Sequence, residues 1–264
     1  MPGINGSGGD RRGSPLRNNL IDERSAEDWG ERAERGFLAS GIDPGDQKGC
    51  KNHYIDLLQK KALEEMLNLK GDEVVLDFGC GSGRISYWIA PRVRKVLGLE
   101  VTPEMLSLAE KHRSAQNVEF VLYDGDRFPS LSSMVDLVLS VGVLQIFRKE
   151  ALTDKVSGLC SFLRPGGRML LIEQVSDDPK VNRPCLNEYL LSFREAGLSI
   201  VQSYPIREGR WWPLYLIRYG IIPNRFLGRI AGYELRRLRH GGGSFTYYRD
   251  YLFALMKPGQ GKRH

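Results

Sequence analysis

Apolar and polar positions change rhythm along this chain. From Tyr54 to Leu69, "YIDLLQKKALEEMLNL" places apolar residues at helical spacing, which predicts a helix with one core-facing side. Beyond it, short apolar runs alternate with helical patterns. "EVVLDFG", "KVLGLEV", "VEFVLYD", "MVDLVLSVG" and "RMLLIEQV" read as strands. "GRISYWIAPRV", "PEMLSLAEKHRSA" and "KEALTDKVSGLCSFL" read as the helices, the second opened by Thr102-Pro103, and "RPGG" reads as a turn before the fifth strand. Such alternation predicts a parallel sheet covered on both faces.

After residue 180 the rhythm changes. "CLNEYLLSFREAG" predicts a helix ended by Gly197, "LSIVQSYPI" a strand and "TYYRDYLFALMK" the last strand. The stretch between those strands is too long for a hairpin loop and is expected to form its own helices. Upstream, residues 20–40 read as a charged helix with a few apolar anchors, and "GIDPGDQKG" as loop. The expected organisation is a disordered Gly/Ser/Arg-rich tail over 1–18 and an N-terminal helical flap over 19–70. A core over 71–205, an insertion over 206–243 acting as a substrate lid, and a final strand over 244–258 follow.

Composition narrows the class. Apolar residues make up 41% and charged residues 27%, ordinary for a soluble globular protein. No apolar run approaches the roughly 20 residues of a membrane-spanning helix. The first residues lack an apolar core, so a secretory signal is not expected. Cys50, Cys80, Cys160 and Cys185 are scattered, which argues against a disulfide framework or structural zinc and fits a cytoplasmic setting. A net charge of +6 admits an anionic partner without identifying one.

The first strand ends in Asp77-Phe78-Gly79-Cys80-Gly81-Ser82-Gly83, a D-x-G-x-G-x-G turn. A hydride-transfer dinucleotide fingerprint would need glycine where Arg84 stands, and a P-loop would need Gly-Lys-Ser/Thr. Glycines let the backbone approach a ligand closely, and the acid suits an amine-bearing ligand better than a pyrophosphate. Glu100 closes the second strand, where a carboxylate can accept from both ribose hydroxyls. Asp126 follows the third strand and could accept from an adenine amino group. These residues fall at the carboxyl ends of adjacent strands, where such sheets bind ligands.

With "VLDFGCGSGR", "LGLEVTPEML", "DGDRFP", "VDLVLSVGVLQIF" and "LRPGGRMLLIEQV" in order, residues 50–180 resemble the class I S-adenosylmethionine-dependent methyltransferases, in their small-molecule (type 11/25-like) group. The resemblance implies an α/β, Rossmann-like sheet of seven strands, mostly parallel with the last antiparallel, and S-adenosylmethionine as cofactor. It implies that Asp77 faces the methionyl amine through water, and that Gly79, Gly81 and Gly83 make room for the methionyl and ribose parts. Glu100 would hold the ribose, Val101 would pack on adenine, and Asp126 would take the adenine amino group beside the Arg127 backbone. Ser140 would offer its carbonyl to the methionyl amine.

The expected reaction is methyl transfer to a small-molecule, sugar or lipid-linked acceptor at oxygen. The Asn/Asp-Pro-Pro-aromatic run of nucleobase and glutamine methyltransferases is absent from "SVGVLQIF". Relatives with "VLQH" carry histidine where this chain has Ile146, so another base is expected. Glu173 and Tyr54 are the candidates, with Tyr54 also a cofactor or substrate contact; His53 and Asp124 are further alternatives. No cluster has metal-ligand spacing, so no metal is expected.

The segment Ile206–His240 carries eight arginines against Glu208 and Glu234, beside an aromatic and aliphatic surface. Three readings stand open. It could be a lid with Trp211, Trp212 and Tyr215 on the acceptor, a surface for peripheral contact with anionic lipid, or a packed helical pair or dimer contact. No recognised nucleic-acid module is visible. The alternatives to a small-molecule enzyme are a cofactor-binding scaffold or regulator, and an RNA or protein methyltransferase. The terminal stretches resemble those of methyltransferases in bacterial glycan and natural-product pathways, which directs the expectation to such acceptors.

Overall fold

A computed structural model describes residues 29–125, 127–130, 134–147, 149–241 and 247–259. Within them, β1 (Val74–Phe78), β2 (Lys95–Glu100), β3 (Val118–Leu122), β4 (Val135–Val141), β5 (Leu163–Val175), β6 (Ser199–Glu208) and β7 (Arg249–Met256) form one sheet, ordered β3-β2-β1-β4-β5-β7-β6. The pairings among β1 to β5 are parallel, and β7 runs antiparallel to both its neighbours. This is the α/β, Rossmann-like sheet expected from the sequence, and its carboxyl edge at β1 and β4 is where the strand order reverses.

Alternate strand residues face opposite sides, so the sheet has two cores. Val75, Leu137, Leu139, Leu170, Ile172 and Leu252 face one cluster; Leu76, Phe78, Val138, Met169, Leu171 and Phe253 face the other. The first side is covered by α2 (Cys50–Glu64), α3 (Arg84–Ile89), α7 (Pro213–Arg218) and α8 (Leu227–Arg239). The second is covered by α5 (Lys149–Phe162) and α6 (Leu186–Glu195). A further helix, α4 (Pro103–Lys111), follows β2.

Two sequence expectations need revision. The helix expected over 20–40 is, among the described residues, only α1 (Trp29–Ala33); turns follow it, with Gly36 at φ +92°. The "RPGG" turn lies inside β5. Gly166 takes φ +77° and its N–H donates to the Lys257 carbonyl at 2.9 Å, while the β4–β5 register shifts between Val135 and Leu137. Residues 1–18 and Asp126 lie outside the described residues. Among those described, no helix is long and apolar enough to cross a membrane.

Candidate active site

The turn after β1 is built on left-handed backbone. Gly79, Gly81 and Gly83 have φ of +65°, +53° and +81°, a region open to glycine at little cost. Their surroundings differ. A Cβ on Gly79 would stand 2.4 Å from Val143 Cγ2, and one on Gly83 would stand 2.9 Å from the Phe120 ring. A Cβ on Gly81 would meet open space. Gly79 and Gly81 line a cavity, Gly79 with its side-chain position closed off by Val143 and Gly81 with its own open, whereas Gly83 permits close packing of α3 on the sheet and lines no part of that cavity.

Glu100 locks the turn from the neighbouring strand. Its Oε2 accepts the Gly81 N–H at 2.9 Å, and Oε1 accepts those of Val101 at 2.9 Å and Thr102 at 3.1 Å. Burial pushes its carboxyl above the usual range, opposed by those three amides. Arg84 ties the same turn to α2, donating to Asp56 Oδ1 at 2.9 Å and Gln59 Oε1 at 2.7 Å. The flap is pinned above: Ser82 Oγ donates to the Phe37 carbonyl at 2.6 Å.

Between turn and flap lies a partly open cavity. Gly79, Gly81, Glu100 and Val101 line it, as the sequence anticipated. Trp29, Met105, Tyr123, Val143 and Phe147 line it too and were not anticipated; Trp29 comes from the flap, Met105 from α4, Tyr123 from the end of β3, and Val143 and Phe147 from the post-β4 loop.

Other expected contacts lie elsewhere. Asp77 sits beneath the turn, 2% exposed, outside the cavity lining, with Oδ2 accepting from Ser86 Oγ at 2.6 Å. Burial raises its pKa to about 6, so its visible work is to tie α3 to β1. Ser140 is buried and donates its hydroxyl to Glu173 Oε1 at 3.2 Å; its successors Val141, Gly142 and Val143 are the cavity residues. The Arg127 amide is engaged by Asp124 Oδ1 at 2.9 Å, and neither residue lines the cavity.

A second cavity adjoins the first, sharing Trp29, Gly41, Arg84, Val141, Gly142 and Ile146. Its wall is polar. Lys51 pairs with Asp43 at 2.6 Å, and Arg207 grips Asp250 through Nε at 2.7 Å and Nη2 at 3.0 Å, with Gln59, Gln145, Gln174, Arg183 and Tyr248 alongside. Glu173 stands in this wall. Its oxygens accept from Ser140 Oγ and the amides of Val143 and Gln145 at 3.1–3.3 Å, and burial lifts its pKa to about 7.

Tyr54 is not at either cavity. It is fully buried between α2 and α8, its hydroxyl donating to Glu234 Oε2 at 2.6 Å. That bond corrects its expected catalytic role: the hydroxyl is committed to a core carboxylate. Of the alternative bases, His53 is exposed and lines neither cavity, and Asp124 is exposed. Trp211, Trp212 and Tyr215 also line neither. Trp211 packs against the core below Arg237, and Trp212 is 70% exposed. The apolar side of the insertion (Leu214, Ile217, Leu227, Ala231, Leu235) packs in the core cluster on the sheet. Among the described residues no His/Cys/Asp/Glu group is placed to hold a metal.

Residues 75–167 match the family model described as "Methyltransferase domain". An arsenite methyltransferase of Halobacterium salinarum is 31% identical over 173 residues, covering 63% of this chain and 40% of that protein. Geranyl diphosphate C-methyltransferase of Streptomyces coelicolor A3(2) superposes with a TM-score of 0.58 at 16% identity, over 88% of this chain and 99% of that one. The [4+2]-cyclase SpnF superposes with a TM-score of 0.58 at 17% identity, over 77% and 81%. The chain spans only 16% to 40% of the curated relatives it matches first.

Proposed function

We propose that the chain, whose residues 75–167 match a methyltransferase domain, is a class I S-adenosylmethionine-dependent methyltransferase that methylates a polar small-molecule or sugar acceptor at oxygen. The shared wall of the two cavities carries this reading: a ligand in one meets a ligand in the other across Arg84, Gly142 and Ile146. The first cavity suits the cofactor. Glu100 is placed to take the ribose hydroxyls, Val101, Met105, Tyr123 and Phe147 to enclose the base, and the Gly79–Gly81 backbone to pass the methionyl part. When bound, the cofactor supplies a sulfonium methyl that is already activated, so alignment provides much of the rate.

The second cavity suits the acceptor. Its glutamines and charged residues favour a hydroxyl-rich molecule over an apolar one. Glu173 would accept the hydroxyl proton as the oxygen–methyl bond forms and the methyl–sulfur bond breaks, with the neutral thioether as leaving group. Its donors are long and its pKa of about 7 matches a base working near neutral pH. Arg207 and Asp250, locked together, hold that end of the wall rigid.

A fold shared with a [4+2]-cyclase makes the product, not the architecture, the test. The protein is incubated with methyl-labelled cofactor and hydroxylated small molecules, including sugars and extracts of its host. Label in an oxygen-methylated small molecule is the expected result. Label only in RNA or protein, or in nothing across varied extracts, contradicts the proposal.

A further inference from the structure

The insertion presents a surface that neither cavity uses. Along α7, Trp212, Tyr215 and Tyr219 are 70%, 57% and 61% exposed and stand three and four residues apart, on one helix face. Ile221, just beyond, is 63% exposed. On α8, Arg229, Tyr233 and Arg236 are likewise exposed at spacings of four and three, away from the buried Leu227, Ala231, Leu235 and Leu238. Both helices pack on α2, so both stripes belong to one side of the molecule.

The charge on this side is not internally balanced. Arg218, Arg237 and Arg239 pair with Asp43, Glu208 and Glu65. Arg210, Arg225, Arg229 and Arg236 have no carboxylate partner among the described residues. From Gly209 to Gly241 the only acid is Glu234, which is fully buried. Arg210 and Arg225 lie over the rings of Tyr247 and Phe226, so cation and ring share the same surface.

We propose that this face docks on a bilayer containing anionic lipid. Trp and Tyr settle at headgroup depth, with their rings in the apolar boundary and their polar edges in water. Guanidinium groups pair with lipid phosphates, and a basic helix flanked by apolar side chains lies in the interface rather than crossing it. A second copy of the chain would set the same arginines against one another. An RNA would satisfy the arginines but give Ile221 nothing to bury in. Docking through this face does not depend on which acceptor the second cavity takes.

The test uses the full chain and sedimentation with two vesicle types: phosphatidylcholine alone, and equal parts phosphatidylcholine and phosphatidylglycerol. Binding is expected only to the anionic vesicles, weakening as salt rises. With each cation near the surface contributing about 1 kcal/mol, Arg225→Glu/Arg229→Glu lowers the partition coefficient by at least about tenfold. Trp212→Ala/Tyr215→Ala, which leaves the charge intact, lowers it severalfold. Both variants retain calorimetric binding of S-adenosylmethionine, which reports an intact fold apart from docking. The proposal is overturned by equal binding to both vesicle types, by binding to neither, by wild-type partition in the charge-reversed variant, or by retention on RNA in place of vesicles.

Discussion

Two regions of this chain concentrate residue types that ligands favour. One is the carboxyl edge of β1, β2 and β4, with its glycines and Glu100; the other is the insertion, with its tryptophans, tyrosines and arginines. The first builds a cavity, because each of its parts is fixed by a bond from a backbone N–H: Gly81 to the Glu100 carboxylate, Cys80 to the Leu99 carbonyl, Gly142 to the Ile172 carbonyl. The second packs its apolar residues on the sheet and turns Trp212, Tyr215 and Tyr219 outward, so those rings line neither cavity. Residue type thus proposes a site, but hydrogen-bonded backbone geometry decides whether one forms.

Substitutions can break or sharpen that contrast. The largest effect is expected at Glu173, in the wall of the second cavity. Glu173→Gln should lower kcat by about 10²–10⁴-fold with cofactor affinity retained. In the wild type the carboxyl must be ionised to accept a proton, so kcat should fall as pH drops through about 7, and the variant should lose that limb. A pH profile of initial rates reads both. Loss of cofactor affinity in the variant would instead make Glu173 a support for the 140–145 loop.

Next comes Glu100→Ala. It removes the acceptor of three backbone amides together with the proposed ribose contact. Charge-assisted bonds at about 1.5–3 kcal/mol each predict at least a hundredfold loss of S-adenosylmethionine affinity by calorimetry. Gly79→Ala should follow, because its Cβ would overlap Val143 at a backbone φ of +65°. A destabilisation of about 1–3 kcal/mol, read by denaturant midpoint, is expected, with weaker cofactor binding as Val143 is displaced.

The smaller effects belong to the insertion side. Tyr54→Phe removes the donor to buried Glu234 and should cost about 1–3 kcal/mol while leaving cofactor affinity unchanged. Glu234 also sets a pH dependence. Its folded pKa is raised to about 7, above the 4.5 of the free side chain, so the folded state keeps a proton that the unfolded state releases. Its contribution to stability should decline as pH rises from about 4.5 to about 7 and be flat above. Urea midpoints across that range would show the slope, and Glu234→Gln should reduce it.

The sequence made the first region legible because its signals are local. Short apolar strand runs, a glycine turn and an acid one strand later all lie within 27 residues, Val74 to Glu100. Arg84, read only as the residue that excludes a dinucleotide fingerprint, proves to clamp the turn to α2. The second cavity was not legible, because its wall joins residues from opposite ends of the chain. Arg207 reads as one more charge of the insertion, yet it is the cross-strand partner of Asp250 in the β6–β7 ladder. An arginine ending one strand and an aspartate opening its antiparallel neighbour was the available signal. Tyr54 failed as a candidate for the same reason: its partner Glu234 lies 180 residues away. Asp126, the expected adenine contact, falls outside the described residues.

The most direct test of where the cofactor sits is a crystal structure of the protein with S-adenosylhomocysteine. The account predicts the ribose hydroxyls within hydrogen-bond distance of Glu100, the base among Val101, Met105, Tyr123 and Phe147, and the sulfur facing the second cavity. A nucleoside bound against the insertion, or one at the β1–β4 edge with Glu100 turned away from its ribose, would contradict it.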